Sequence, residues 1–211
     1  MVSEHDLNWK YVDESVVEHD LVARARQHSL ELGIEPVSPA VGAQLAVLAA
    51  AARAESIIEV GTGVGVSGLW MLRAARSALL TSIDTETEYQ QHARELFAEA
   101  GVAPARVRLI TGRAAEVLPR MNEASYDLVF IDADAPNVIE YVEHGLRLAK
   151  SKGTVVVARV LGKGRVADPA RRDETSTAFR TLIGELASSS AVSTAISPAG
   201  DGLLQIVKLG A

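Results

Sequence analysis

Four carboxylates and one guanidinium stand where this chain could do chemistry. Glu59, Asp84, Asp132 and Asp134 each lie at or just beyond the end of a short apolar run, and Arg159 lies near the end of another. Runs of this kind are buried strands, so their ends gather on one edge of a sheet. A carboxylate on that edge accepts hydrogen bonds from hydroxyl pairs or pairs with an ammonium group, and it repels phosphate. An arginine there carries a permanent positive charge that needs a partner. It can stabilise an oxyanion but cannot remove a proton.

The stretch from Ser56 to Gly68 organises the rest. Ile57, Ile58 and Val60 read as a strand, Gly61, Gly63 and Gly65 as a turn, and Val66 to Ser77 as a helix. Alternating glycines let the backbone turn sharply and come close to a ligand, and the helix N-terminus offers unpaired N–H groups. Strand, glycine turn and helix hold nucleotide-like cofactors in doubly wound α/β proteins. Gly63-x-Gly65-x-x-Gly68 satisfies the dinucleotide fingerprint, so a nicotinamide cofactor and an oxidoreductase are one reading. Against it, a turn counted from Gly61 places Val66 at the third fingerprint position, and Glu59 would repel a pyrophosphate. A cationic ligand without phosphate, such as S-adenosylmethionine, suits Glu59 better. A tight turn holding no ligand is the remaining alternative.

Asp84 ends the second strand, Leu79–Asp84, close to the roughly 20-residue spacing expected of an acid that binds ribose hydroxyls; capping the next helix is its plainer use. Val107–Thr111 is a third strand, and Gly112 and Ala114 after it could let a flat adenine approach. Tyr126–Asp132 is the fourth strand, apolar in its middle, and Gly153–Val160 the fifth. Helices fill the intervals, including 136–149, which carries His144, and 175–186. Val192–Ser197 and Leu203–Leu209 flank Pro-Ala-Gly-Asp-Gly and read as a terminal hairpin. Upstream, residues 1–10 are polar and expected to be loosely held. Val16, Val17, Leu21, Val22 and Leu30 predict one amphipathic helix over 12–32, and Ser38-Pro39 opens a second one reaching Arg53. Residues 1–54 thus form a helical cap over a core of 55–211, expected to cover the cofactor or the mouth of the site. The fold class is α/β: a Rossmann-like, doubly wound sheet, mostly parallel, with helices on both faces.

The 211 residues suit one domain, and a net charge of −6 without a basic block gives no nucleic-acid or anionic-membrane surface. Cysteine is absent, which excludes disulfides, thiolate metal sites and a cysteine nucleophile. No run is long enough to span a bilayer and no leader pattern opens the chain, so a cytoplasmic protein is expected.

Glu59-Val-Gly-Thr-Gly-Val-Gly-Val-Ser67, Ser82-Ile-Asp84 and Tyr126-Asp-Leu-Val-Phe-Ile-Asp-Ala-Asp134 together resemble the small cation-dependent O-methyltransferases, the family of catechol and caffeoyl-CoA O-methyltransferases. The likeness runs from Pro36 to the hairpin. It implies a seven-stranded sheet whose last strand is antiparallel, commonly in a homodimer, and methylation of a small hydroxylated acceptor. It also implies S-adenosylmethionine held by Val37, Glu59, Gly61, Thr62, Ser67, Asp84, Ala114 and Asp134. Gly63, Thr85 and Asp132 complete the candidate cofactor set.

The chain departs from that family in its metal site. A lysine that follows Asp-Ala-Asp in the family is Ala135 here, and an Asp-Asn pair closing the fifth strand is Ala158-Arg159. Only Asp132 remains of the three side-chain ligands, and one carboxylate cannot hold Mg²⁺ tightly. No metal site is therefore carried over. Arg159 is expected to pair with Asp132 and take over the electrostatic position of the metal, which makes Asp132, Arg159 and Asp134 the candidate catalytic residues. Asp134 or Lys163 could help remove a proton. A catalytically silent S-adenosylmethionine-binding protein is the alternative that these departures support.

Overall fold

The computed structural model describes residues 4–133 and 135–210. Three helices come first: α1 (Glu4–Ser15), α2 (Asp20–Glu31) and α3 (Pro39–Ala51). Strands and helices then alternate as β1 (Ser56–Val60), α4 (Val66–Ala74), β2 (Leu79–Asp84), α5 (Thr87–Glu99), β3 (Val107–Thr111), α6 (Ala114–Val117), β4 (Tyr126–Ile131), α7 (Val138–Leu148), β5 (Ala149–Val157) and α8 (Glu174–Ser188). β6 (Val192–Ser197) and β7 (Leu203–Lys208) close the chain.

The seven strands form one sheet in the order β3-β2-β1-β4-β5-β7-β6. β1 to β5 pair in parallel, and β7 runs antiparallel to both β5 and β6. Alternation along β4 explains the two layers. Leu128 and Phe130 point into a core shared with Leu45, Leu69, Met71 and Phe97 from α3, α4 and α5. Val129 and Ile131 point into a second core with Tyr141, Val142 and Phe179 from α7 and α8. At the amino ends of the strands, Asp127 accepts hydrogen bonds from the Glu55 and Ser56 amides, both at 2.9 Å, and from Lys150 Nζ at 2.8 Å. Burial works against this carboxylate's charge, yet these donors hold its pKa below the ordinary value.

The amino-terminal part differs from the sequence expectation. The helix expected over 12–32 is two helices separated at residues 16–19, and helix begins at Glu4 within the stretch expected to be loose. Leu21 and Val22 are buried as expected, but Val17 and Leu30 are exposed. The break lets each helix meet a different neighbour. Asp13 of α1 accepts the Ala40 amide at the start of α3, at 2.9 Å, while α2 packs its own apolar face into the core with α4. The His19 ring caps α2 by accepting the Leu21 amide. No glycine or proline marks this break, so periodicity alone reads through it. Strand β5 also ends at Val157, which leaves Ala158, Arg159 and Val160 beyond it with Arg159 in the left-handed region at φ +60°.

Candidate active site

A crevice runs along the carboxyl ends of the strands, at the point between β1 and β4 where the direction of chain winding reverses. It has two halves of about 410 Å³ each, which share Gly61, Asp84, Asp132 and Ala133. Ser29 of α2 and residues 34–37 line the first half.

Gly61 leaves β1 at φ +97°, and a Cβ there would lie 2.1 Å from the Asp132 carbonyl oxygen. This glycine is required because the β1 and β4 turns approach so closely. The Gly63 amide donates to Asp84 Oδ2 at 2.9 Å, and the Glu86 amide donates to Asp84 Oδ1 at 3.0 Å. Asp84 thus fixes the glycine turn and starts α5 while still lining both halves of the crevice. Each carboxylate oxygen keeps a lone pair for a further donor.

Glu59 does not line the crevice. It is fully buried behind it, with Oε1 accepting the Ser67 hydroxyl and Oε2 accepting the Ser82 hydroxyl at 2.6 Å. Ser67 is the member of this group that reaches the crevice. Burial pushes the Glu59 carboxyl up to about 7; the two serines pull against that shift, and the charges of Asp132 and Asp84 add to it. The network continues sideways: Thr62 Oγ1 lies 2.7 Å from Ser82 Oγ, and Gln90 Nε2 donates to the Ile110 carbonyl at 2.9 Å and to Thr62 at 3.3 Å. Thr62 itself lines the first half.

On the opposite wall Arg159 donates from Nε to Asp132 Oδ1 at 2.8 Å and from Nη2 to the Glu35 carbonyl at 2.8 Å. Its Nη1 lies 3.3 Å from the Glu35 carboxylate. Burial alone would weaken its charge, but the bond to Asp132 and the charges of Asp132 and Glu35 raise its pKa further, so it stays cationic. Val37 is held by α2: Arg26 donates to the Val37 carbonyl and to both oxygens of Glu18, at 2.7 and 2.8 Å. Thr85 and Ala114 line the second half.

Asp134 lies outside the described residues. Several crevice residues carried no signal in the sequence. Ser29, Ile34 and Tyr89 line the first half, and Arg113, Asn137 and Tyr141 the second. Tyr141 follows Asn137 by one helical turn, a spacing that could have flagged them as one face. Tyr89 reads equally well as a helix-starting residue.

The donor set does not suit a divalent cation. Among the described residues no group of three or more His, Asp or Glu side chains could hold one. The Asp132 carboxylate faces a guanidinium, and the neighbouring Ala158 offers no side-chain oxygen.

The strand order, the antiparallel last strand and a glycine turn under an acidic strand end define a methyltransferase of the Rossmann-like class. The chain belongs to the O-methyltransferase family, whose sequence profile matches residues 10–209. A Mycobacterium tuberculosis relative named "Probable O-methyltransferase" is 45% identical over 201 residues, covering 95% of this chain and 90% of its own. A crystal structure of a Corynebacterium glutamicum protein superposes with a TM-score of 0.90 at 30% identity, covering 99% of both chains. The O-methyltransferase TomG of Streptomyces achromogenes, involved in tomaymycin synthesis and solved with S-adenosylmethionine, has a TM-score of 0.83 at 31% identity over 97% of this chain and 96% of its own. The nicotinamide reading finds no support in these likenesses. No helix among the described residues is long and apolar enough to cross a membrane.

Proposed function

We propose that this protein transfers the methyl group of S-adenosylmethionine to a hydroxyl oxygen of a small molecule without a resident divalent metal. The observation that carries the metal-free part is the Arg159–Asp132 pair, closed at 2.8 Å on the wall of the crevice. The cofactor supplies a methyl group already activated on a sulfonium sulfur. The protein's residues have three tasks. The glycine turn, Ser67 and the Glu59 carboxylate behind it form the end that receives the amino-acid moiety. Asp84, with a lone pair free on each oxygen, receives the ribose hydroxyls, and Thr85 and Ala114 border the adenine side. The acceptor oxygen, held in line at about 3–3.5 Å, forms the new bond to the methyl carbon as the carbon–sulfur pair withdraws onto sulfur; the hydroxyl proton leaves to water. Arg159 stabilises the acceptor as an oxyanion, and Asp132 fixes the direction of the guanidinium.

The proposal extends to a homodimer; the outer residues of the sheet-edge strand β6, Ser193–Ile196, are exposed and available for contact with a second copy.

Calorimetry with S-adenosylhomocysteine and with NAD, followed by methyl transfer to phenols in EDTA and then in Mg²⁺, tests the reading. The expected result is binding of the first ligand only, with turnover unchanged by EDTA. Turnover stimulated by Mg²⁺ would remove the metal-free mechanism. Binding without turnover on any acceptor would leave a cofactor-binding protein.

A further inference from the structure

Gln90 is buried on the inner face of α5 and lines neither half of the crevice. Its amide is nevertheless fully engaged. Oε1 accepts the Thr111 hydroxyl at 2.8 Å. Nε2 donates to the Ile110 carbonyl at 2.9 Å, to Thr62 Oγ1 at 3.3 Å and to the Ser82 carbonyl at 3.4 Å. These contacts join α5 to β2, β3 and the glycine turn. The direction of the amide follows from its partners. Backbone carbonyls only accept, so an amide oxygen turned toward Ile110 and Ser82 would face two other oxygens. Nε2 is therefore on that side, and it is a donor toward Thr62.

That donor decides how the hydroxyls beyond it point. Thr62 Oγ1 accepts from Gln90, so its single proton turns to Ser82 Oγ, 2.7 Å away. Ser82 accepts that proton and donates its own to Glu59 Oε2 at 2.6 Å. Every proton in the row thus points toward the carboxyl group. A proton carried on Oε2 would reverse Ser82 and Thr62 and drive the Thr62 proton against the amide protons of Gln90. The row therefore leaves only Oε1, beside Ser67, as a place for a proton on Glu59. Donors to the other oxygen bind the ionised form more strongly than the neutral one. The charges of Asp132 and Asp84 face Glu59 and favour its neutral form, as burial does. From the packed helices, α4 contributes Ser67 and α5 contributes Gln90, neither of them charged.

We infer that Gln90 is a positioning residue for the cofactor: it sets the direction of the Thr62–Ser82 row and so holds Glu59 as the anion that receives the ammonium group. This rests on the methyl-transfer reading above. Ser67 lines the crevice, so the one proton position left on Glu59 lies on the side from which the cofactor arrives. A glutamine that merely tied α5 to β3 would need only its bonds to Thr111 and Ile110. Its removal would then leave the ionisation of Glu59 unchanged.

Gln90→Met keeps the length of the side chain and removes its amide. Calorimetry with S-adenosylhomocysteine over a range of pH should show affinity rising in the parent as Glu59 ionises. In Gln90→Met the midpoint of that rise should move up by about half to one pH unit, the worth of one hydrogen bond. Ser82→Ala cuts the row, so adding Gln90→Met to it should move the midpoint no further. Chemical denaturation gives a readout without cofactor. The cost of Gln90→Met should grow between about pH 5.5 and pH 8.5, because the lost donor served the ionised form. In a Glu59→Gln background that growth should vanish. A cost independent of pH, or an unmoved midpoint, reduces Gln90 to a structural tie and overturns the inference. An equal shift in the Ser82→Ala background overturns it too. A cost that grows with pH in a protein that binds no S-adenosylhomocysteine upholds the action of Gln90 on Glu59 and instead removes the methyl-transfer reading. Should Gln90→Met not fold, NMR of the parent decides: the Gln90 side-chain amide signal should titrate with Glu59, and its movement should fall by about half or more in Ser82→Ala. A signal that does not titrate, or that titrates equally in Ser82→Ala, overturns the inference.

Discussion

Ser82 donates its hydroxyl to Glu59 at 2.6 Å inside the sheet, across the two neighbouring strands β1 and β2. The bond partly compensates a carboxyl that burial has raised from 4.5 to about 7. A carboxyl whose folded pKa exceeds its unfolded one binds its proton more tightly in the folded state. Its stabilising contribution is therefore complete below about 4.5 and lost as pH rises through about 7. The full span corresponds to about 3 kcal/mol. Glu59→Gln should remove this dependence, so thermal unfolding of the variant gains on the parent between pH 5 and pH 8. Parallel profiles would contradict the assignment.

The same carboxyl links protons to the cofactor. A cationic ligand approaching Ser67 favours ionised Glu59, so binding of S-adenosylhomocysteine, which keeps the ammonium group, should release protons near pH 6.5. Calorimetry in buffers of different ionisation enthalpy measures the number released. Glu59→Gln should release fewer.

Asp84 joins the glycine turn to α5 through two backbone amides. Asp84→Ala should weaken S-adenosylhomocysteine about 10- to 100-fold, the worth of losing charge-assisted hydrogen bonds. Asp84→Asn retains one acceptor oxygen and should lose less. Equal affinities by calorimetry for all three proteins would place the ribose elsewhere.

Arg26 and Glu18 form a largely buried ion pair, 16% and 12% exposed, which also holds the Val37 carbonyl. Arg26→Ala leaves Glu18 without its partner and should cost about 3 kcal/mol in chemical denaturation. Because Val37 lines the crevice, cofactor affinity should fall as well. An affinity that is unchanged would show that the 34–37 segment keeps its position without this clamp.

Arg159→Ala should lower kcat/KM for the acceptor by about 100-fold, the usual worth of one preorganised donor, with cofactor affinity little changed. Added Mg²⁺ should not restore it, because Asp132 alone is a poor site for the cation. Ala158→Asp combined with Arg159→Asn should create Mn²⁺ binding detectable by calorimetry; the left-handed backbone at 159 suits asparagine. Restoration of Arg159→Ala by Mg²⁺ would contradict the metal-free mechanism.

Sequence by itself determined that there are five central strands and a terminal hairpin with carboxylates at strand ends, because buried strands are apolar runs; the limits of the fifth were misplaced, since β5 spans Ala149–Val157 and not 153–160. It also determined that the metal-site positions hold alanine and arginine, since identity at a position needs no fold. Only the tertiary structure decided what those side chains meet. Glu59 lies behind the crevice wall because β2 brings Ser82 against it. The break between α1 and α2 follows from two different neighbours and leaves no local mark. A cavity of about 780 Å³ is assembled from α1, α3, the 161–167 loop and the β6–β7 corner. Its walls lie far apart along the chain, and no spacing rule connects Trp9 with Pro198.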